Sequence, residues 1–267
     1  MRMNLPAEPD EAGTGLRPLS ARSVVLSLLL GAHPPRLPVK DLVRLVEPFG
    51  VGGSTLRAAL SRMVAAGDLR RTDAVYELSD RLLARQRRQD DAVHPSTRAW
   101  NGDWEMVVVT ATGRGPAERA ELRARLTALR LAELREGVWL RPANLDRPLP
   151  DELRRVALTG TTRPDEPAHD LAARLWAPDA WAAAARTLLT RSAESRRPAD
   201  RLTAFAAVVR HLLTDPVLPA ALLPADWPGD ALRAAYSTYQ HELATAAGPR
   251  GNGGPRGSGE GLRGGTG

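Results

Sequence analysis

The side chains best suited to chemistry in this chain are cations on a helical repeat, not a catalytic set. Residues 53–64 read GSTLRAALSRMV. Three- and four-residue spacing turns Leu56, Leu60, Met63 and Val64 inward. It leaves Ser54, Thr55, Arg57, Ser61 and Arg62 on the other side. Arginine forks and short hydroxyl side chains reach base edges and phosphates when a helix lies in a DNA major groove. A merely solvated helix face uses the same residues, and Arg57 and Arg62 alone do not separate the two readings. Arg70 and Arg71 follow in GDLRRTDAVYEL, where phosphate contact is a natural use for them. The acidic Asp73 argues against the tip of that strand pair entering a groove itself. Arg81, Arg85, Arg87 and Arg88 carry the basic character onward.

Other chemistry finds less support. Cysteine is absent, which excludes disulfides and thiolate metal ligands. Arg114 and Arg119 flank the start of a helix at Pro116, where free backbone N–H groups can help hold an anion. They are therefore the candidate residues for binding an anionic ligand. The run ATGRGP is too short for a P-loop and no Lys-Ser or Lys-Thr pair follows, so a plain connector is the competing reading. A metal-dependent nuclease on the middle segment would need carboxylates converging near the end of its first strand. That strand, WEMVVVT, ends at Thr110, and Asp103 precedes it. Neither a catalytic residue, a metal nor a cofactor is expected.

These residues need elements to hold them. Ser20 suits the N-cap of a first helix carrying Val24, Val25, Leu28, Leu29 and Leu30, with Gly31 as its stop. Val39, Leu42, Val43 and Val46 give a second helix, ended by Pro48 and Gly50. Either Gly53 or Ser54 opens the third, and Gly67-Asp68 turns into a strand–turn–strand in which Leu69, Val75 and Leu78 are buried. That order is a winged helix-turn-helix. QDDAVHPSTR reads as a polar boundary. Beyond it, Trp104–Thr110 is a buried strand, Pro116 to about Arg130 a helix, Gly137–Pro142 a second strand and Leu153–Leu158 a further one. This suggests a small ferredoxin-like domain. TTRPDEPAHD is linker-like, and the remainder is helical, with Leu202, Phe205, Val208, Val209 and Leu212 packing inward. The expected organisation is α+β. A disordered lead occupies 1–16, the DNA-binding domain 17–90, a central ferredoxin-like domain 91–165, a helical carboxy-terminal domain 166–247 and a disordered Gly-rich tail 248–267. The formal net charge of +6 and a pI near 10.7 permit a nucleic-acid partner. With no apolar run approaching membrane-spanning length and no signal-peptide pattern, a soluble cytoplasmic protein is expected.

Three stretches together resemble the PaaX family of bacterial transcriptional repressors. They are SARSVVLSLLLG with GGSTLRAALSRMVAAGDLRR, then WEMVVVT through GVWLRPANL, and above all DPVLPAALLPADWPG leading into a helix. The family's proline-glutamate pair after the first central strand is missing. The resemblance implies a homodimeric repressor of catabolic genes on a double-stranded DNA operator. It also implies release by an aromatic acyl-coenzyme A effector, phenylacetyl-coenzyme A in the namesake subgroup. The alternatives are the nuclease above and an architectural DNA-binding protein that responds to no ligand.

Overall fold

The structure, a computed structural model, describes residues 19–247. The lead at 1–16 and the Gly-rich tail lie outside the described residues. Helix α1 (Ala21–Gly31) opens where the Ser20 hydroxyl accepts from the Ser23 N–H at 3.2 Å, satisfying one of the helix's otherwise orphaned donors. Val24, Val25, Leu26, Leu28, Leu29 and Leu30 are all buried. A helix apolar on nearly every side must be covered on every side. Helix α1 accordingly packs against helices from both ends of the chain.

Helix α2 (Val39–Val46) buries Leu42, Leu45 and Val46. Val43, expected on the core face, is 44% exposed. The i, i+3, i+4 stripe starts at Leu42 and runs to Leu45 and Val46, and Val43 lies a quarter-turn off it. Helix α3 (Gly53–Ala65) buries Leu56, Ala59, Leu60 and Met63. Val64, also expected inside, is exposed for the same geometric reason, Ala59 completing the stripe instead. Strands β1 (Arg36–Pro38), β2 (Leu69–Thr72) and β3 (Val75–Leu78) form an antiparallel sheet in the order β1-β3-β2. Helix α4 (Asp80–Val93) follows and runs into the expected polar boundary, burying Ala92 and Val93.

The second sheet holds β4 (Trp104–Val109), β5 (Ala132–Arg135), β6 (Val138–Pro142) and β7 (Ala157–Thr162) in the order β5-β6-β4-β7, all antiparallel. Helix α5 (Pro116–Ala128) covers one face, with Leu122 and Leu126 against Val107, Trp139 and Leu153. Two expectations change. Strand β5 lies where the helical composition simply ran out. Residues 151–155 form a 3-10 turn, so the last strand begins at Ala157 and extends into the stretch read as a linker.

The remaining helices are α6 (Ala168–Trp176), α7 (Pro178–Glu194), α8 (Pro198–Leu212) and α9 (Gly229–Ala247). Helix α6 and the loop before α9 cover the other face of the second sheet, placing Leu171, Leu218 and Leu222 against Trp104 and Leu140. Helices α7, α8 and α9 turn the opposite way. Trp181, Phe205, Val208, Leu212, Leu232 and Tyr236 share one continuous core with α1, α3 and α4. Among the described residues, no helix is long and apolar enough to cross a membrane.

Candidate nucleic-acid interface

Helix α3 is anchored by its buried stripe, and the opposite face is free of the fold. Ser54, Thr55, Arg57, Ser61 and Arg62 are all exposed. At 3.6 residues per turn, Ser54, Ala58 and Ser61 run down the middle of that face. Arg57 flanks them on one side, and Thr55 and Arg62 on the other. A low ridge of small side chains lets a helix backbone approach a surface, and the flanking guanidiniums extend beyond it. Neither Arg57 nor Arg62 makes an ion pair among the described residues, so both charges are available.

The neighbouring sheet commits its arginines differently. Arg70 donates to Asp80 at 3.2 Å, tying β2 to the first turn of α4, where a carboxylate also complements the helix dipole. Arg71 donates to the Asp73 carbonyl at 2.8 Å, with its guanidinium 5.9 Å from the Tyr76 ring. Asp73 adopts φ of 55°, a left-handed conformation that Asp tolerates in tight turns. Behind the interface, the buried Asp68 accepts from Arg22 at 2.7 Å and from Arg81. This carboxylate ties the turn after α3 to α1 and α4. Its role was missed by the sequence reading, in which Gly67-Asp68 signalled only a turn. Arg85, Arg87 and Arg88 are exposed along α4.

Arg114 and Arg119 do meet, at the start of α5, through the Arg119 guanidinium on the Arg114 carbonyl at 3.0 Å. The Gly115 N–H, however, donates to the Glu118 carboxylate at 2.9 Å. An anion arriving there would face that carboxylate. At the second sheet, Asp103 lies ahead of β4 and binds Arg163 at 2.5 Å and Asn101 at 2.8 Å. These hydrogen bonds, that of Arg163 first, hold its carboxyl below the usual range. Among the described residues, no three His, Asp or Glu side chains converge as a metal site would need.

A second polar cluster lies inside the molecule. Arg141, fully buried on β6, donates to Asn144 at 2.8 Å and to the Pro142 and Val217 carbonyls at 3.0 and 3.3 Å. Burial pulls its guanidinium down to about 9, with Glu105 opposing, so it stays charged at neutral pH. The buried Asp215 binds Arg233 of α9. The prolines between Asp215 and Gly229 dictate turns and short helices. Residue type gave no signal that Asp215 and the Arg141 strand would share one cluster.

The architecture defines a mixed helix-and-sheet protein, with two antiparallel sheets joined by carboxy-terminal helices that pack on both. Family models match it along its length: PaaX-like protein over residues 20–82, PaaX protein central Cas2-like domain over 97–163, and PaaX-like protein C-terminal domain over 173–249. The chain belongs to the PaaX-like family. Among solved structures it is similar to Uncharacterized protein Rv0674 from Mycobacterium tuberculosis. The two are 50% identical with a TM-score of 0.76, over 85% of this chain and 97% of that one. None of the curated proteins matches it.

Proposed function

We propose that this protein is a homodimeric, cytoplasmic transcriptional regulator that represses catabolic genes by binding a two-fold DNA operator. The exposed face of α3 carries this reading, with Arg57 and Arg62, neither in an ion pair among the described residues, on either side of Ser54, Ala58 and Ser61. In it, residues 19–93 act as a winged helix-turn-helix. Helix α3 enters the major groove, and Arg70 and Arg71 contact phosphates from the flanking sheet. The central segment, with strand order β5-β6-β4-β7 and a 3-10 turn before its last strand, is read as a ferredoxin-like domain, and family membership supports a dimerisation role for it. Membership of the PaaX-like family supports an acyl-coenzyme A effector that releases the operator. Arg114 and Arg119 are the sequence-derived candidates for its phosphates, although Glu118 weakens the case for them.

The test is a mobility-shift series with DNA selected from random sequence by the full chain. A palindromic operator is expected. Affinity should fall when half-sites are moved by half a helical turn and recover after a full turn. Equal affinity at every spacing would rule out a dimer reading two half-sites.

A further inference from the structure

We infer that Asp68 is a positioning residue for DNA recognition: its buried carboxylate fixes the angle at which α3 leaves the body of the protein, and so sets how well an operator is told from other DNA. This rests on the DNA reading proposed above and adds to it a residue outside the contact face. The backbone around Asp68 is held first. Helix α3 ends in a left-handed Gly67, with φ of 68°. The Asp68 N–H donates to the Met63 carbonyl at 2.9 Å and the Gly67 N–H to the Val64 carbonyl at 3.0 Å. An apolar residue commonly follows a helix ending of this kind and packs back on the last turn. Here the residue is an acid, and it is 2% exposed.

A buried carboxylate needs charge-assisted partners, and Asp68 finds them on two other helices. One oxygen accepts from Nε and Nη2 of Arg22 on α1, at 3.2 and 2.7 Å, and the other accepts from Arg81 on α4. The Asp68 carbonyl also accepts from the N–H of Ser79, the N-cap of α4, at 3.0 Å. Both partner helices are themselves fixed. Helix α1 is buried along most of its length, and the far end of α4 is held where Arg233 donates to the Ala92 carbonyl at 3.2 Å. One side chain therefore ties the end of α3 to a frame that runs on into the carboxy-terminal helices.

Leverage gives this tie its consequence. Ser54 lies roughly 18 Å along the helix axis from Ala66. A tilt of about 5° at the Asp68 end would carry Ser54 sideways by about 1.5 Å. Base contacts demand placement to about 0.5 Å. Attraction to phosphates is long-ranged and tolerates the same movement. Charge makes the two effects separable. Asp68→Asn raises the formal net charge from +6 by one, so attraction alone would tighten every duplex. Loss of position instead weakens the operator and spares other DNA.

Fluorescence anisotropy of the full chain at one salt concentration tests this, on the operator it selects from random sequence and on a scrambled duplex of the same length. The readout is the ratio of the two affinities, which does not change with the fraction of protein folded. Asp68→Asn should lower the ratio about tenfold, within the worth of one base contact, while the scrambled duplex is bound at least as tightly as by the parent. Arg22→Lys keeps the charge, loses the two-nitrogen grip and sits on a half-exposed side chain. It should lower the ratio in the same direction by a smaller factor, and it decides the matter if Asp68→Asn does not fold. An unchanged ratio overturns the inference, whether both affinities rise together, as for a mere charge, or fall together, as for a merely structural ion pair. A parent that prefers no selected sequence removes the DNA reading and this inference with it. A parent that prefers its operator, beside variants with the same ratio, removes this inference alone.

Discussion

Arg233 on α9 and Asp215 in the loop before it meet at 2.6 Å, inside the molecule, with side chains 13% and 1% exposed. The pair is the centre of a junction. The second Asp215 oxygen accepts from the Val217 N–H at 2.7 Å, which holds Val217 at φ of 51°, a strained value for a β-branched residue. The Val217 carbonyl then accepts from Arg141 of the second sheet and from Asn144 in the turn after β6. Arg130 reaches the Asp215 carbonyl, and Arg233 donates also to the Ala92 carbonyl at the end of α4, at 3.2 Å. One loop carboxylate thus connects both sheet-bearing segments to the last helix.

Removing one member of a buried ion pair leaves the other charged and without compensation, at a cost of roughly 3 to 5 kcal/mol. Asp215→Ala should lower the unfolding free energy by that amount, read from urea denaturation followed by circular dichroism. The double variant Asp215→Ala with Arg233→Met should recover part of it, because no buried charge is then stranded. A loss under about 0.5 kcal/mol, typical of a surface site, would show that the pair does not hold the junction.

Gly229 follows Trp227-Pro228 at the start of α9. A Cβ there would overlap the Trp227 indole nitrogen and crowd the Arg233 guanidinium. The indole has little room to yield, since it stacks on Trp181 at 4.5 Å, and Trp181 stacks on His211 at 4.3 Å. Gly229→Ala, harmless on helix propensity alone, should therefore destabilise by about 1 to 3 kcal/mol, as overpacking does. Differential scanning calorimetry would show a lower Tm, and an unchanged Tm would contradict the close approach.

Burial raises the Tyr236 phenol from 10.0 to about 12, with Asp90 adding to the effect, and it raises Tyr239 as well. A phenol whose folded value is raised keeps its proton while the unfolded chain loses it. Its contribution is therefore intact below pH 10 and is lost as pH rises toward 12. The Tyr236 share is about 2 to 3 kcal/mol. Compared at pH 9 and pH 11.5, Tyr236→Phe should lose less stability than the parent. Absorbance at 295 nm should show one late phenolate transition fewer in the variant.

Much of this arrangement was legible in the sequence. Ser20 announces α1, the β-branched run at 107–109 announces β4, and period 3.6 separates the buried and exposed faces of α3 apart from Val64. Strand β5 was not visible, because its residues, Ala132 to Arg135, are good helix formers that tertiary pairing overrides. Strand β1 is three residues long and ends in proline, too short to show alternation. Periodicity also says that Phe205 and Val208 turn inward without saying toward what. That they share a core with α1 is set by the path of the chain between them. The same limit hid the Asp215 junction, whose members are spread from Ala92 to Arg233.

The face of α3 makes the sharpest demand on experiment. Each guanidinium that neutralises a phosphate releases counterions, so its loss lowers the slope of log K against log salt by about one contact and weakens all sequences alike. A guanidinium that reads a base instead costs about 1 to 3 kcal/mol at one position of the operator and little elsewhere. Arg57 and Arg62 lie on opposite flanks of the Ser54–Ser61 ridge, so they need not share a role. Arg57→Ala and Arg62→Ala should each lose affinity in one of these two ways, measured by fluorescence anisotropy on the selected operator and its point variants between 50 and 200 mM salt, roughly the range over which phosphate contacts are felt. Arg70→Ala, whose charge is already shared with Asp80, should lose less than either. If both α3 variants bind DNA like the parent while Arg70→Ala does not, the groove-facing element is the small sheet and not the helix.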